Sequence, residues 1–436
     1  MPLQMHLPVT RGQSSVPPSR GAFPAAQDRR AAPPLLTISA APPERPACVP
    51  LLSHGFRPFF LLAALYGALF LPLWLAAFTE SLPVKVAFHP VVWHGHEMVF
   101  GFAAAAVCGF LLTASSTWSQ IPPVTGRKLA LVIGAWAAGR AAMWLSGILP
   151  SILVAAADLA LFPVLAAAIL PVLLSRGNRH NLLFLLALGL FFLANALVHL
   201  EAWTGVAGAA AVGLRLGVNL LALLIVIIIG RIVPTFLNVA RLGRGFPRKP
   251  ASRPWLEGLA VGSMALFVLL DLFMHESAWA GGAALATALA QAARMAVWRA
   301  GRELLKPFIW ALHLGYAWLT AGMALVGWAY LGGSVPWVSG LHAMTAGGIG
   351  TMVLAVMSIV GLLHTGRPAE IRPAIAAAYL LVSAAALVRT LAPIAIYESY
   401  REALIFSGAL WAAAFFLYLW VYLPILARPR PDGIPG

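Results

Sequence analysis

Residues 220–230 read Leu220-Leu221-Ala222-Leu223-Leu224-Ile225-Val226-Ile227-Ile228-Ile229-Gly230, an unbroken apolar run inside a longer apolar stretch at 212–236. A stretch of about 20 apolar residues is what a helix needs to cross the hydrocarbon core of a bilayer. Comparable stretches recur near 58–78, 92–114, 129–148, 151–174, 181–203, 255–274, 278–297, 307–331, 337–362, 372–393 and 404–426. The one at 278–297 is the least apolar, being rich in Ala and Gly and carrying Gln291 and Arg294.

Composition supports the same class. The 436 residues are 61% hydrophobic and only 10% charged, with a mean hydropathy of +0.86. A soluble domain carries about 25% charged residues, so this chain lacks the charge to cover a water-facing surface. The formal net charge of +15 does not indicate a nucleic-acid partner, because the basic residues sit between the apolar runs and not on one soluble face. Their distribution follows the positive-inside rule. One set of loops holds Arg57, Arg127, Lys128, Arg176, Arg179, Arg241, Arg244, Arg248, Lys249, Arg253, Arg299, Arg302, Lys306, Arg367, Arg372, Arg428 and Arg430. The alternate set holds Lys85, Arg215, Arg389 and Arg401. The expected fold is an all-α integral membrane protein of about twelve transmembrane helices in one bundle, with both termini on the cytoplasmic side.

Residues 1–50 are rich in Pro, Ala and Arg and have no apolar segment ahead of a cleavage site, so they read as a disordered cytoplasmic tail. The twelve-span membrane domain is expected over 51–428, with a short cytoplasmic tail at 429–436. Cys48 and Cys108 belong to no CxxC motif, and one lies in the tail and the other in an apolar run, which is no disulfide framework.

Ionisable side chains inside a membrane are costly and mark function by default. The second stretch opens His89-Pro90-Val91-Val92-Trp93-His94-Gly95-His96-Glu97. The fifth carries His199 near its end, and the tenth carries His342 in its first two turns. The topology brings His89, His94, His96, His199 and His342 to one depth toward the outer face. Imidazole is a ligand for haem iron and for copper, so these five are the candidate metal ligands. His94 and His96 are about 200° apart on an ideal helix. Both can bind one metal only if the helix start is irregular; otherwise one faces a neighbouring helix. Glu97 suits an orienting partner for a His or a proton carrier. Toward the cytoplasmic face lie Arg57, Arg231, His313, His364 and Arg367, candidates for holding a cofactor, the arginines through haem propionates. Arg231 sits in Gly230-Arg231-Ile232-Val233-Pro234, where Pro234 is expected to end the helix. Gly347, Gly348 and Gly350 allow close helix approach.

Several of these stretches resemble the NnrS family. They are Gly55-Phe56-Arg57-Pro58-Phe59-Phe60, the run from His89 to Phe102, and Gly109-Phe110-Leu111-Leu112-Thr113-Ala114 with Trp118. Further matches are Gly230 to Pro234, Leu312-His313-Leu314-Gly315-Tyr316-Ala317, the segment from His342 to Met357, and His364-Thr365-Gly366-Arg367-Pro368. One departure is that the Arg-containing stretch usual in the family before the His-Thr-Gly-Arg motif reads Ser358-Ile359-Val360-Gly361-Leu362-Leu363-His364 here, without the polar group expected near Ile359. The resemblance implies a haem- and copper-containing protein of the bacterial inner membrane, associated with nitric oxide metabolism and tolerance to nitrosative stress. Nitric oxide or nitrosyl species would be its substrate or signal, with an unidentified electron donor as partner, and it leaves open whether the chain is a redox enzyme. Two other classes compete with that expectation. One is a secondary transporter, for which Pro72, Pro163 and Pro171 are the candidate helix breaks. The other is a divergent haem–copper oxidase or nitric oxide reductase subunit, weakened by the lack of any adjacent His-His pair.

Overall fold

The computed structural model describes residues 49–119, 122–175, 182–242, 253–395 and 398–433. The tail expected over 1–50 lies almost wholly outside them, as does most of the basic segment at 237–254. All regular structure among the described residues is helical.

Twelve rods follow in chain order. They are α1 (Phe56–Phe78), α2 (Pro90–His96, Glu97–Ala103 and Ala104–Ser119 in continuous succession), α3 (Gly126–Trp144) and α4 (Ser151–Leu159 and Leu161–Leu173). Next come α5 (Leu183–Thr204), α6 (Ala209–Leu242), α7 (Pro254–Phe273) and α8 (Ala278–Val297). The last four are α9 (Pro307–Tyr330), α10 (Trp337–His342, Ala343–Gly350 and Thr351–His364), α11 (Pro373–Ala395) and α12 (Tyr400–Ala427). Ten of the twelve are long and apolar enough to cross a membrane. The two that fall short are α3, which carries Arg127, Lys128 and Arg140, and α8, whose Ala and Gly run is interrupted by Gln291 and Arg294.

Local sequence sets the helix ends. Proline occupies the first turn of α2, α7 and α9, where its missing N–H costs nothing. Gly205, at φ 73°, ends α5 in the left-handed conformation that side chains disfavour. Pro163 leaves its mark as well. The helix is interrupted at Ala160, next to the carbonyl of Leu159 that a normal residue at 163 would have bonded. Pro234 behaves otherwise, and the expected helix end there is corrected: α6 runs through it to Leu242. The Thr235 hydroxyl donates to the Arg231 carbonyl at 2.7 Å, one residue beyond the Gly230 carbonyl that Pro234 deprives of its N–H partner.

Consecutive rods pack against one another, and α12 closes back on α1. There Trp411 donates to the Gly67 carbonyl at 3.0 Å. The buried Arg57 guanidinium caps the end of α12, donating from Nη1 to the carbonyls of Leu426 and Arg428, each at 2.7 Å.

Rods α2 and α10 share a local design. Each has a proline, then a histidine six residues on, then Met two and Gly five residues later: Pro90, His96, Met98, Gly101 and Pro336, His342, Met344, Gly347. In both, a π-helical stretch begins immediately after that histidine, at Glu97–Ala103 and at Ala343–Gly350. Such widened turns mark functional sites with unusual frequency.

Candidate metal centre

The start of α2, the end of α3, the start of α4 and the end of α5 meet at one end of the bundle, and each sends a polar side chain inward. His96 from α2 is fully buried. Its Nδ1 lies 2.9 Å from Glu97 Oε1, and its Nε2 lies 3.0 Å from Asp158 Oδ2 and 2.8 Å from Asn195 Oδ1. His199 from α5 brings Nε2 to 2.8 Å from the same Asp158 oxygen, and Asn195 Nδ2 donates to that oxygen at 2.8 Å. Arg140 from α3 binds both carboxylates, Glu97 Oε1 at 2.6 Å and Asp158 Oδ1. Tyr66 from α1 donates to Glu97 Oε2 and accepts from Trp144 Nε1 at 3.2 Å. One ligand atom from each of His96, Asp158 and His199 lies within 4.8 Å of the others, and all three residues are buried.

Close packing makes this convergence possible. A Cβ on Gly101 would lie 2.7 Å from the Tyr66 ring and 3.0 Å from Glu97 Oε2. A Cβ on Gly139 would lie 2.9 Å from Asp158 Oδ1. Phe88 and Phe100 wall the His96 ring, with centroids 6.3 and 5.1 Å away.

Charge balance decides what the cluster wants. Two carboxylates face one guanidinium, so with neutral imidazoles the set is one negative charge in excess. A buried unpaired charge is costly. One added positive charge removes the excess, either a proton on His96, whose two ring nitrogens both face carboxylates, or a cation between His96 Nε2, His199 Nε2 and Asp158. With a cation at Nε2, the Nδ1–H of His96 would donate to Glu97, the carboxylate-to-histidine-to-metal relay that fixes ring orientation in metal sites.

The sequence-derived candidates separate into groups. His96 and His199 come together through Asp158. His94, on the opposite side of α2 as an ordinary helix requires, packs its ring 4.3 Å from that of Trp74, and its buried Nδ1 has no hydrogen-bond partner. His94 and His342 share Arg389 as an electrostatic neighbour. His342 donates from Nδ1 to the Val338 carbonyl at 2.8 Å. His89 is exposed and caps α2, accepting the Val91 N–H at 3.3 Å. His313 donates from Nδ1 to the Ile309 carbonyl at 2.8 Å, and its buried Nε2 has no partner. At the other end of the bundle, His364 packs 5.6 Å from the Phe56 ring. Arg367 donates to the Thr365 carbonyl at 3.3 Å, and Arg231 is exposed along α6.

Residues 50–430 match the sequence signature of the family described as NnrS protein. The chain belongs to the NnrS family. Membership places it among multi-pass membrane proteins associated with nitric oxide, and the buried His and Asp cluster is its candidate metal site. No curated protein matches the sequence.

Four members of this NnrS cluster escaped the sequence reading: Tyr66, Arg140, Asp158 and Asn195. A signal was present for two of them, since Asp158 and Arg140 are charges inside apolar stretches, and intramembrane charge is itself a pointer to function.

A second buried polar network joins α6 to α9. Arg294 is fully buried and donates to Glu257 at 3.1 Å and to the Val226 carbonyl at 2.7 Å. Gln291 donates to the Ala260 carbonyl at 2.8 Å and accepts from Tyr316.

Proposed function

We propose that this chain is a redox metalloprotein of the bacterial inner membrane that binds or transforms nitric oxide or nitrosyl species. Its copper would be held by His96, His199 and Asp158. The observation that carries this reading is the convergence of two buried imidazoles and a buried carboxylate in a cluster whose charge is one cation short. A cuprous ion or a proton each supplies the missing charge, and imidazole is a good copper ligand. Glu97, held by Arg140 and Tyr66, would orient His96, and Asn195 would hold the Asp158 carboxylate.

For haem, the supporting features are His313 and His342, whose Nδ1 bonds to backbone carbonyls leave Nε2 as the basic nitrogen, the form an axial ligand needs. The buried Arg57 adds Nε and Nη2 groups without hydrogen-bond partners, which suit a propionate. Bound haem would supply an iron that takes up nitric oxide directly. The transporter alternative is favoured by one feature, the interruption of α4 at Ala160, two residues past Asp158.

Metal analysis and a pyridine-haemochrome assay on the purified full chain test the reading. Copper and haem are expected in the wild type, with copper lost in His96→Ala and His199→Ala while both variants still insert. A wild type without either metal would sink it. For the twelve-span topology with both termini inside, reporters placed between α2 and α3 and between α6 and α7 should be cytoplasmic. Those between α1 and α2 and between α9 and α10 should be external.

A further inference from the structure

Asp271 is a buried carboxylate in the last turn of α7. The chain leaves that helix after Phe273 and brings His275, four residues on, back over the turn. His275 Nδ1 lies 2.9 Å from Asp271 Oδ1. Tyr330, the last residue of α9, places its hydroxyl 2.9 Å from the same oxygen and 3.0 Å from the same nitrogen. Asn219 from α6 donates to the other carboxylate oxygen at 2.7 Å, which keeps Oδ1 turned to the triangle. The rings of Tyr330 and Trp337 meet that of His275 nearly at right angles, at 5.4 and 5.9 Å, and hold it in place.

The three atoms are short of protons. A phenol has one to give, His275 Nδ1 at most one, and an ionised carboxylate none. Two protons cannot line three edges with a straight hydrogen bond each, so one edge shares a proton or sets lone pairs face to face. A cation in place of both protons satisfies all three edges at once. Charge agrees. Asp271 and the exposed Glu276, whose Oε1 lies 3.7 Å from His275 Nε2, outnumber Arg215, the guanidinium beside Tyr330. With a neutral imidazole the set carries one negative charge in excess.

We infer that Asp271, His275 and Tyr330 form a metal site, separate from the Asp158 cluster, for a six-coordinate divalent ion of the manganese or iron class. Ligands about 2.0–2.2 Å from an ion stand about 3 Å apart on an octahedral face and about 3.4 Å apart on a tetrahedral one. The edges here measure 2.9, 2.9 and 3.0 Å. One imidazole with two oxygens suits such an ion better than it suits copper. Asp271 and Tyr330 as anions neutralise a divalent charge. The side chain of His275 is 23% exposed against 4% for Asp271, so the ion enters past His275 and keeps water on that side. The site requires neither the copper nor the haem proposed above.

Manganous ion titrated into the purified, chelator-washed full chain is the direct test, read by loss of the free-ion EPR signal. One equivalent is expected to bind in the wild type and equally in His199→Ala, which lacks a ligand of the other cluster. His275→Ala, in the loop outside the helices, should weaken binding at least tenfold, and so should Asp271→Asn. Tyr330 has its own signature. Ferric ion added to the wild type should give a visible phenolate-to-iron charge-transfer band, absent in Tyr330→Phe. No manganese bound by the wild type, or undiminished binding in a folded His275→Ala protein, would overturn the site. So would manganese lost in His199→Ala and kept in His275→Ala, which would place the ion in the Asp158 cluster. A ferric complex without the band would remove Tyr330 and overturn the three-residue site. A wild type that binds manganese but carries neither copper nor haem would refute the functional reading alone and leave this site standing.

Discussion

The cluster around Asp158 and the network around Arg294 are both charged, both buried and both built from four or more rods, yet they differ in kind. In the second, one guanidinium meets one carboxylate, and Gln291 and Tyr316 satisfy each other and the backbone. Nothing in it calls for a further charge. In the first, two carboxylates and two imidazoles surround a single guanidinium. Burial alone therefore does not identify a functional site; an unbalanced set of ligand-type groups does.

The largest effect should come from removing the charge imbalance. Asp158→Asn leaves a site with one carboxylate and one guanidinium and should empty the metal site, as read by copper content after purification. Arg294→Met should leave copper content unchanged, and equal loss in both variants would erase the distinction between the two regions.

A smaller change should follow from Glu97→Gln. The His96 ring keeps a partner at Nδ1 but loses the carboxylate that strengthens it as a ligand, and metal affinity should fall about 10–100-fold. Copper competition with a chelator measures this. Unaltered affinity would mean that Glu97 does not orient His96.

The Arg294 network should respond in stability alone. Arg294→Met removes the guanidinium that donates to Glu257 at 3.1 Å, but that carboxylate is partly exposed and can recover water, so the loss should be roughly 2 kcal/mol. Adding Glu257→Gln should restore much of it, measured by thermal unfolding in detergent. An additive double variant would show that the two side chains are not coupled.

Legibility in the sequence followed physical range. The apolar stretches are a local property and located all twelve rods, although α2 and α6 run five and six residues past their expected ends. The weak apolarity of α8 was visible too, whereas α3 escaped notice although Arg140 lies inside it. His96 and His199 were selected by depth, which depends only on position along a rod. Asp158 stood out as a charge inside an apolar stretch, but its meeting with His96 and His199, and the part of Asn195, required knowing which face of α4 meets which face of α5, and no single helix encodes that. The divergence of His94 from His96 was foreseeable from ordinary helix geometry, and the segment before Glu97 is indeed α-helical. The π-helical stretches left no signal in one copy, although the second copy in α10 repeats the pattern.

The smallest predicted effect lies at the opposite end of the bundle, where His54 precedes α1. Burial, with the positive charges of His364, Arg57 and Arg430 nearby, lowers its pKa to about 4 from the usual 6.5. Because the folded state holds this imidazole neutral, its contribution to stability is fully present above pH 6.5. It declines as the pH falls through the interval down to about 4, where the unfolded chain takes up a proton and the folded chain does not. Melting temperature should therefore drop over that interval, and less so in His54→Asn. An identical slope in the variant would place the acid sensitivity elsewhere.

The widened turns of α2 and α10 also bear on how these rods can change length over time. Each accommodates an extra residue without breaking the rod, the usual footprint of a single insertion. Deleting one residue between Glu97 and Ala103 would close the widened turn and leave the flanking segments facing as they do, because the extra residue is taken up within that turn. Deleting one from the ordinary winding beyond Ala104 would instead turn everything before it by about 100° relative to the inner half. His96 would then point at a different neighbour while both halves stayed helical and apolar, and composition and hydropathy would hardly register the lesion.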